Sequence, residues 1–259
     1  MKFRYRDKYG FQLSYQVSIR GRGALANFLT LFGLSFAPGL FILWYVYCKD
    51  KYEKEPARLI FITFCLGAGV VIPAGVIEHI LESIIPMPYE GNFLGAFLFA
   101  FLVVAPTEEC AKCLCIRVAY RSPHFNEVMD GIVYGVAAAI GFATVENFFY
   151  VFEGGVSTGI ARAFLSVPGH AMTGAILGYY MGMKKMNPES KKRFIEVGLA
   201  IAILFHGAYD FVLLTQTLLC LLIIPIMICL YFFYRKKVYL ALKGSPFRAG
   251  RDEDLFRKP

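Results

Sequence analysis

The sequence predicts an all-α protein: a polytopic bundle of about seven transmembrane helices, N-terminus outside and C-terminus inside. Three observations predict it. Apolar residues make up 57% of the 259-residue chain and charged residues only 18%, a balance that soluble domains seldom reach. The mean hydropathy is +0.54. The apolar residues also fall in long blocks rather than in the spaced stripes of soluble amphipathic helices. Hydrocarbon offers no partner to a backbone N–H or C=O, so such blocks must be helical, and the short alternating segments of a β-barrel are not seen.

The blocks reach the ~20 residues that cross a ~30 Å hydrocarbon core. They are 24–48, 59–84, 93–118, 130–151, 160–183, 194–213 and 217–234. The first follows a polar, basic segment and is too long for the apolar core of a signal peptide, so it should stay as a spanning helix. The second carries Glu78, His79 and Glu82 near its end, which should lie at the membrane interface. In the third, Pro106 should kink the helix or begin a new one. The fourth opens with Asp130, a carboxylate suited to a helix N-terminus. The fifth contains Pro168-Gly169 before His170. Only Thr215, Gln216 and Thr217 part the last two, which implies a tight hairpin. The organisation is therefore a basic N-terminal tail (1–23), a membrane bundle (24–235) with a catalytic core (93–213), and a basic cytoplasmic tail (236–259). There is no second soluble domain and no internal repeat.

Lys and Arg set the orientation. The first loop has Lys49, Lys51, Lys54 and Arg58; the third has Arg121, with Arg117 at its edge; the fifth has Lys184, Lys185, Lys191, Lys192 and Arg193. The C-terminal tail is likewise basic, whereas the fourth loop holds only Arg162 and the second and sixth hold neither residue. The odd loops and the C-terminus should thus face the cytoplasm. The N-terminal tail, with Lys2, Arg4, Arg6, Lys8, Arg20 and Arg22, runs against this rule. The net charge of +8 is accounted for by flanks beside anionic lipid and calls for no nucleic acid. The protein should sit in the cell membrane as a multi-pass protein. The cysteines (Cys48, Cys65, Cys110, Cys113, Cys115, Cys220 and Cys229) lie in or beside apolar blocks, odd in number, and read as packing residues. Even Cys110-x-x-Cys113-x-Cys115 fits that reading better than a metal spacing.

Ionisable groups at membrane depth cost a few kcal/mol each, so they should be few, paired and inward-facing. The third block holds Glu108, Glu109 and Lys112. A lysine three and four residues on can neutralise one carboxylate and leave the other to titrate or activate water. Glu146, followed by Asn147, lies ~24 Å of helix rise from the start of the fourth block. His170 follows in the fifth, and His206 and Asp210 stand one turn apart in the sixth, where the aspartate can fix the ring tautomer. Each of these could be structural: an ion pair, an interfacial acid, an interhelical hydrogen bond. Their number argues against that. So does their placement on small-residue faces: His170 steps to Gly174, Gly178 and Gly182; Asp210 steps back through His206 and Ala202 to Gly198; Glu146 steps back through Phe142 to Ala138, Gly135 and Gly131. Membrane helices approach most closely on such faces. Glu146, His170, His206 and Asp210 should therefore meet in a water-filled cavity.

The ordered set Glu108-Glu109-x-x-Lys112, Asp130-Gly131-Ile132-Val133-Tyr134-Gly135, Phe142-x-x-x-Glu146-Asn147, His170 and His206-x-x-x-Asp210 resembles the PrsW family of intramembrane proteases. That family is similar in turn to the type II CAAX prenyl endopeptidases. The resemblance implies a peptide-bond hydrolase with Glu108, Glu109, Glu146, His170, His206 and Asp210 as catalytic groups and Lys112 and Asn147 in support. It implies a membrane-anchored protein substrate of the anti-sigma-factor class, cut near the outer side. Glu146 stands where the prenyl peptidases have histidine, so their Glu–His water activation does not transfer directly. The expected chemistry is water activation by glutamate without a cofactor. Zinc held by the same residues is the alternative, and a proton-coupled transporter is the alternative from another class. Oligomeric state is not legible.

Overall fold

The computed structural model describes residues 2–6, 12–16, 21–85, 88 and 90–248, with side chains from residue 25 onward. Most of the two tail assignments, including Lys2, Arg20, Arg251 and Lys258, thus lies outside the described side chains. An antiparallel ribbon, β1 (Lys2–Arg6) and β2 (Gln12–Gln16), precedes the helices.

α1 spans Gly21–Lys49. The second apolar block is two helices, α2 (Ala57–Gly69) and α3 (Val71–Glu82). Pro73 has no N–H to give the Gly69 carbonyl, so the ladder breaks there. The third block is α4 (Phe93–Phe99), a π-helical turn (Ala100–Val104) and α5 (Ala105–Tyr120). Asn92 caps α4 by accepting from the Gly95 N–H at 2.9 Å. Pro106 cannot donate to Leu102. The wide turn before it carries the Ala105 N–H to Ala100 instead, so a new helix begins just ahead of the paired glutamates. Such turns recur at functional sites.

α6 (Val128–Phe164) is the axis of the bundle. Residues 129–144 are all buried, enclosed by α1, α2, α5 and α7. α7 (Ser166–Met186) returns antiparallel along it. Their approach needs glycine: a Cβ on Gly178 would lie 1.8 Å from the Gly131 carbonyl oxygen, and one on Gly135 2.1 Å from that of Gly174. Gly155 bends α6 with φ +76°, a value that costs other residues steric strain. α8 (Phe194–Leu214) packs on α7. After the turn at Gln216 (φ +51°) and a 3₁₀ turn (Leu218–Leu222), α9 runs from Ile223 to Lys243, past the expected end of the bundle at 235.

Among the described residues, six helical stretches are long and apolar enough to cross a membrane: Leu25–Lys49, Ala57–Glu82, Phe93–Tyr120, Val128–Met186, Phe194–Leu214 and Leu218–Lys243. The blocks 130–151 and 160–183 both lie in the 59-residue Val128–Met186 stretch, which folds back on itself. Outward faces carry exposed Trp44, Phe61, Ile72, Leu94, Leu114, Phe164 and Phe232. Water would not tolerate so much contiguous apolar surface, but lipid does. The protein is a multi-pass membrane protein.

Candidate active site

The start of α5 places Glu108 and Glu109 side by side at the centre of the bundle, both buried. Successive helical residues point about 100° apart, and the two carboxylates consequently do different things. Glu109 is fully buried, with a side chain 0% exposed. Its Oε1 takes Lys112 Nζ at 2.9 Å, His206 Nδ1 at 2.8 Å and Thr173 Oγ1 at 3.4 Å. Glu108 lines an open cavity of about 540 Å³. Its Oε2 lies 3.1 Å from Lys112 Nζ, 3.7 Å from His206 Nε2 and 4.0 Å from His170 Nδ1.

Lys112 therefore does not pair with one carboxylate, as its spacing suggests, but with both. Its ammonium carries three donors, and the third approach is to His170 Nδ1 at 3.0 Å. The aliphatic stem lets Nζ lie 4.6 Å from the centre of the Phe142 ring. A fully buried lysine is tolerable only with this many partners.

The expected convergence of α6, α7 and α8 occurs. His170 Nε2 is 3.0 Å from Glu146 Oε2, and His206 Nε2 is 3.2 Å from Asp210 Oδ2. The two rings meet edge to face with centroids 5.1 Å apart. Glu108, Glu146, His170, His206 and Asp210 all line the cavity, whereas Glu109 stands behind it. Glu146 is not simply an interfacial acid. Asn147 is a brace: its Nδ2 donates to the Leu34 carbonyl at 3.2 Å, tying α6 to α1.

Sequence reasoning missed Arg162. It counted only as the single Lys or Arg of the fourth loop, but beyond the bend at Gly155 the chain turns it back into the site. Its guanidinium lies 2.8 Å from Glu146 Oε2, donates from Nε to Asn147 Oδ1 at 2.7 Å, and covers the Tyr150 ring at 4.1 Å. Thr173 was also missed, as an ordinary α7 residue. Glu78 and Glu82, expected at the interface, form part of the cavity wall. The exposed Cys110 and buried Cys115 face different ways, as packing residues do. His124 stays on the exposed surface.

Among the described residues, one group of histidine, cysteine or carboxylate side chains brings three ligand atoms within 4.8 Å of one another: Glu108, His170 and His206. The donor set fits a hydrolytic zinc site, which needs three such ligands and an open position. The far nitrogen of each ring is also oriented by a carboxylate, Glu146 for His170 and Glu109 for His206, the backing that histidine ligands usually have. Lys112 Nζ stands between two of the three ligands, so an ion would have to displace it.

Residues 55–234 match the PrsW-protease family, described as PrsW family intramembrane metalloprotease. Protease PrsW of Bacillus subtilis (strain 168) is 34% identical over 203 residues, which cover 78% of this chain and 90% of that protein. Protease PrsW of Halalkalibacterium halodurans is 33% identical over 214 residues, 82% of this chain and 97% of the relative. Protease PrsW of Shouchella clausii is 37% identical over 182 residues, 69% and 81% respectively. No solved structure matches the chain.

Proposed function

Because the chain belongs to the PrsW family of intramembrane proteases, we propose that it cuts a membrane-anchored, single-span protein of the anti-sigma-factor class, near the membrane face remote from its basic loops, with Glu108 as the base that activates water. One observation carries the assignment of the base. Of the two adjacent glutamates, Glu108 lines the cavity while Glu109 is fully buried and occupied by Lys112, His206 and Thr173.

In this reading a water in the cavity gives its proton to Glu108 as it attacks the scissile carbonyl. The oxyanion that forms needs a fixed positive or N–H donor nearby. His206, held between Glu109 and Asp210, and His170, held by Glu146, stand within reach. The proton taken by Glu108 then passes to the leaving amine, directly or through one of these rings. Lys112 limits the repulsion between Glu108 and Glu109. Arg162 offsets the charge of Glu146.

The substrate side follows from charge. Glu146 lies ~27 Å of helix rise from the start of α6, whereas the lysine- and arginine-bearing loops gather about that start and the ends of α1, α5 and α7. By the positive-inside rule the cavity opens away from the cytoplasm.

Co-expression of a single-span substrate with Glu108→Gln, Glu109→Gln or His206→Ala tests the proposal. Loss of cleavage in each is expected, and wild-type cleavage by all three would sink it. A second reading, favoured by the clustering of Glu108, His170 and His206 ligand atoms, is a zinc enzyme. Bound there, zinc would lower the pKa of its water and polarise the carbonyl. Metal analysis of purified active protein, with activity measured after chelation, separates the two. Stoichiometric zinc and chelator inhibition would remove Glu108 from the role of base.

A further inference from the structure

A second buried polar centre lies at the far end of α6 from the protease site, where α1, the 50–56 loop and the 121–127 loop meet. Asp50 follows α1, Glu53 and Glu55 lie in the loop before α2, and Glu127 and Asp130 stand at the start of α6. Asp50, Glu127 and Asp130 are fully buried, and Glu55 is 2% exposed. Asp130 Oδ2 accepts from the Asn126 and Glu127 N–H groups at 2.7 Å, and Glu55 accepts from the Tyr134 hydroxyl. Both oxygens of Asp50 are buried with no hydrogen-bond partner. Among the charges bearing on Asp50 are those of Glu127, Asp130 and Glu53, opposed by that of Lys54; Lys185 faces Asp130 and Glu55.

Five acidic side chains against two lysines, with both oxygens of Asp50 unpartnered, form an acidic pocket between the two loops. Lys54 and Lys185 are themselves committed in part to backbone carbonyls, Lys54 to Tyr47 and Lys185 to Tyr120 and Ser122. We propose that this pocket binds a hard divalent cation, Mg²⁺ or Ca²⁺, ligated by Asp50 and Glu127 with further oxygens from Asp130, Glu55 or Glu53. An all-oxygen, all-carboxylate donor set suits such ions and not zinc. Among the described residues, no three of these carboxylates bring ligand oxygens within 4.8 Å of one another. The ion therefore keeps water in part of its shell, as Mg²⁺ readily does. It would clamp the loop after α1 and the loop before α6 to one another. This site is independent of the protease mechanism.

The test uses the full-length protein purified in detergent and stripped with a chelator. Mg²⁺ and Ca²⁺ are titrated against the thermal midpoint, and Tb³⁺, which substitutes for Ca²⁺, is read by luminescence sensitised through tyrosine. A saturable rise in midpoint is expected for the wild type and for Glu108→Gln, with affinity reduced about tenfold or more in Asp50→Asn and Glu127→Gln. Without metal, Asp50→Asn should be at least as stable as the wild type near pH 8, because it loses a repulsion and no bond. Tyr134→Phe keeps the carboxylates, so it should retain the Mg²⁺ or Ca²⁺ response. No midpoint shift in the wild type, or an undiminished shift in Asp50→Asn, overturns the proposal.

Discussion

Glu108→Gln and Glu109→Gln are the same chemical change at neighbouring positions, and the structure assigns them different consequences. Glu108 faces the cavity and makes one close ion pair, at 3.1 Å, with Lys112. Neutralising it leaves Lys112 paired with Glu109 at 2.9 Å, so the fold should lose little, about 1 kcal/mol. Catalysis should fall by ~10²–10⁴, the usual contribution of a general base. Glu109 has no exposed surface and holds both Lys112 and His206 Nδ1 at 2.8 Å. A glutamine there can still accept a hydrogen bond but strips the charge that those groups were buried against. Breaking a buried pair costs ~3–5 kcal/mol, and because Lys112 retains Glu108 the lower end, about 3 kcal/mol, applies. The thermal midpoint in detergent should drop by several degrees for Glu109→Gln and hardly move for Glu108→Gln. Cleavage of a co-expressed substrate, normalised to folded protein, should be lost in Glu108→Gln. If Glu108→Gln cleaves normally, or if Glu109→Gln is as stable as the wild type, the division of labour is wrong.

Three other perturbations follow from the geometry. Arg162→Ala removes the 2.8 Å partner of Glu146 and should cut activity about 10- to 100-fold through the positioning of Glu146 and His170, with partial recovery in Arg162→Lys; unchanged kcat in the alanine variant would refute the role. Gly178→Val places a Cβ 1.8 Å from the Gly131 carbonyl oxygen, so α6 and α7 must separate; expression of properly folded protein should be lost, as read by gel filtration, while Gly69→Ala, with open space around it, should be tolerated. At the other end of α6, burial first and then the neighbouring acids push the carboxyls of Asp50 and Glu127 up from the usual range to about 7. The metal-free folded protein therefore binds more protons than the unfolded chain from about pH 4 to pH 7, and its stability should fall as pH rises through that window. Thermal midpoints across that range, in chelator, check the sign, and Asp50→Asn should flatten the curve.

The family assignment agrees with the motif order, and each motif lies on the helix that its hydropathy block implied. Glycines mark where helices touch because only they admit a backbone oxygen at such short range, so the stepping pattern from His170 through Gly174 and Gly178 anticipated the α6–α7 seam. Arg162 was not legible in this way. Its partner Glu146 is 16 positions earlier in sequence, and only the bend at Gly155 and the re-entry toward α7 bring the two together. Glu78 was read as interfacial because an amphipathic helix end looks the same whether its polar side faces water or a cavity. The N-terminal basic residues that conflicted with the charge rule fall outside the described side chains.

The sequence by itself determined the solvent, the helical kind of the segments, and a core of polar residues that had to be buried together. Those follow from the cost of exposing backbone to hydrocarbon and of placing charge in it, and such costs are summed residue by residue. Tertiary structure alone decided which of two adjacent glutamates faces the cavity, how many partners one lysine ammonium takes, and that five acidic residues from separate segments share one end of the bundle. These depend on the rotation of each helix about its axis and on where loops return. Such angles are set by packing between segments distant in sequence and leave no mark on local composition.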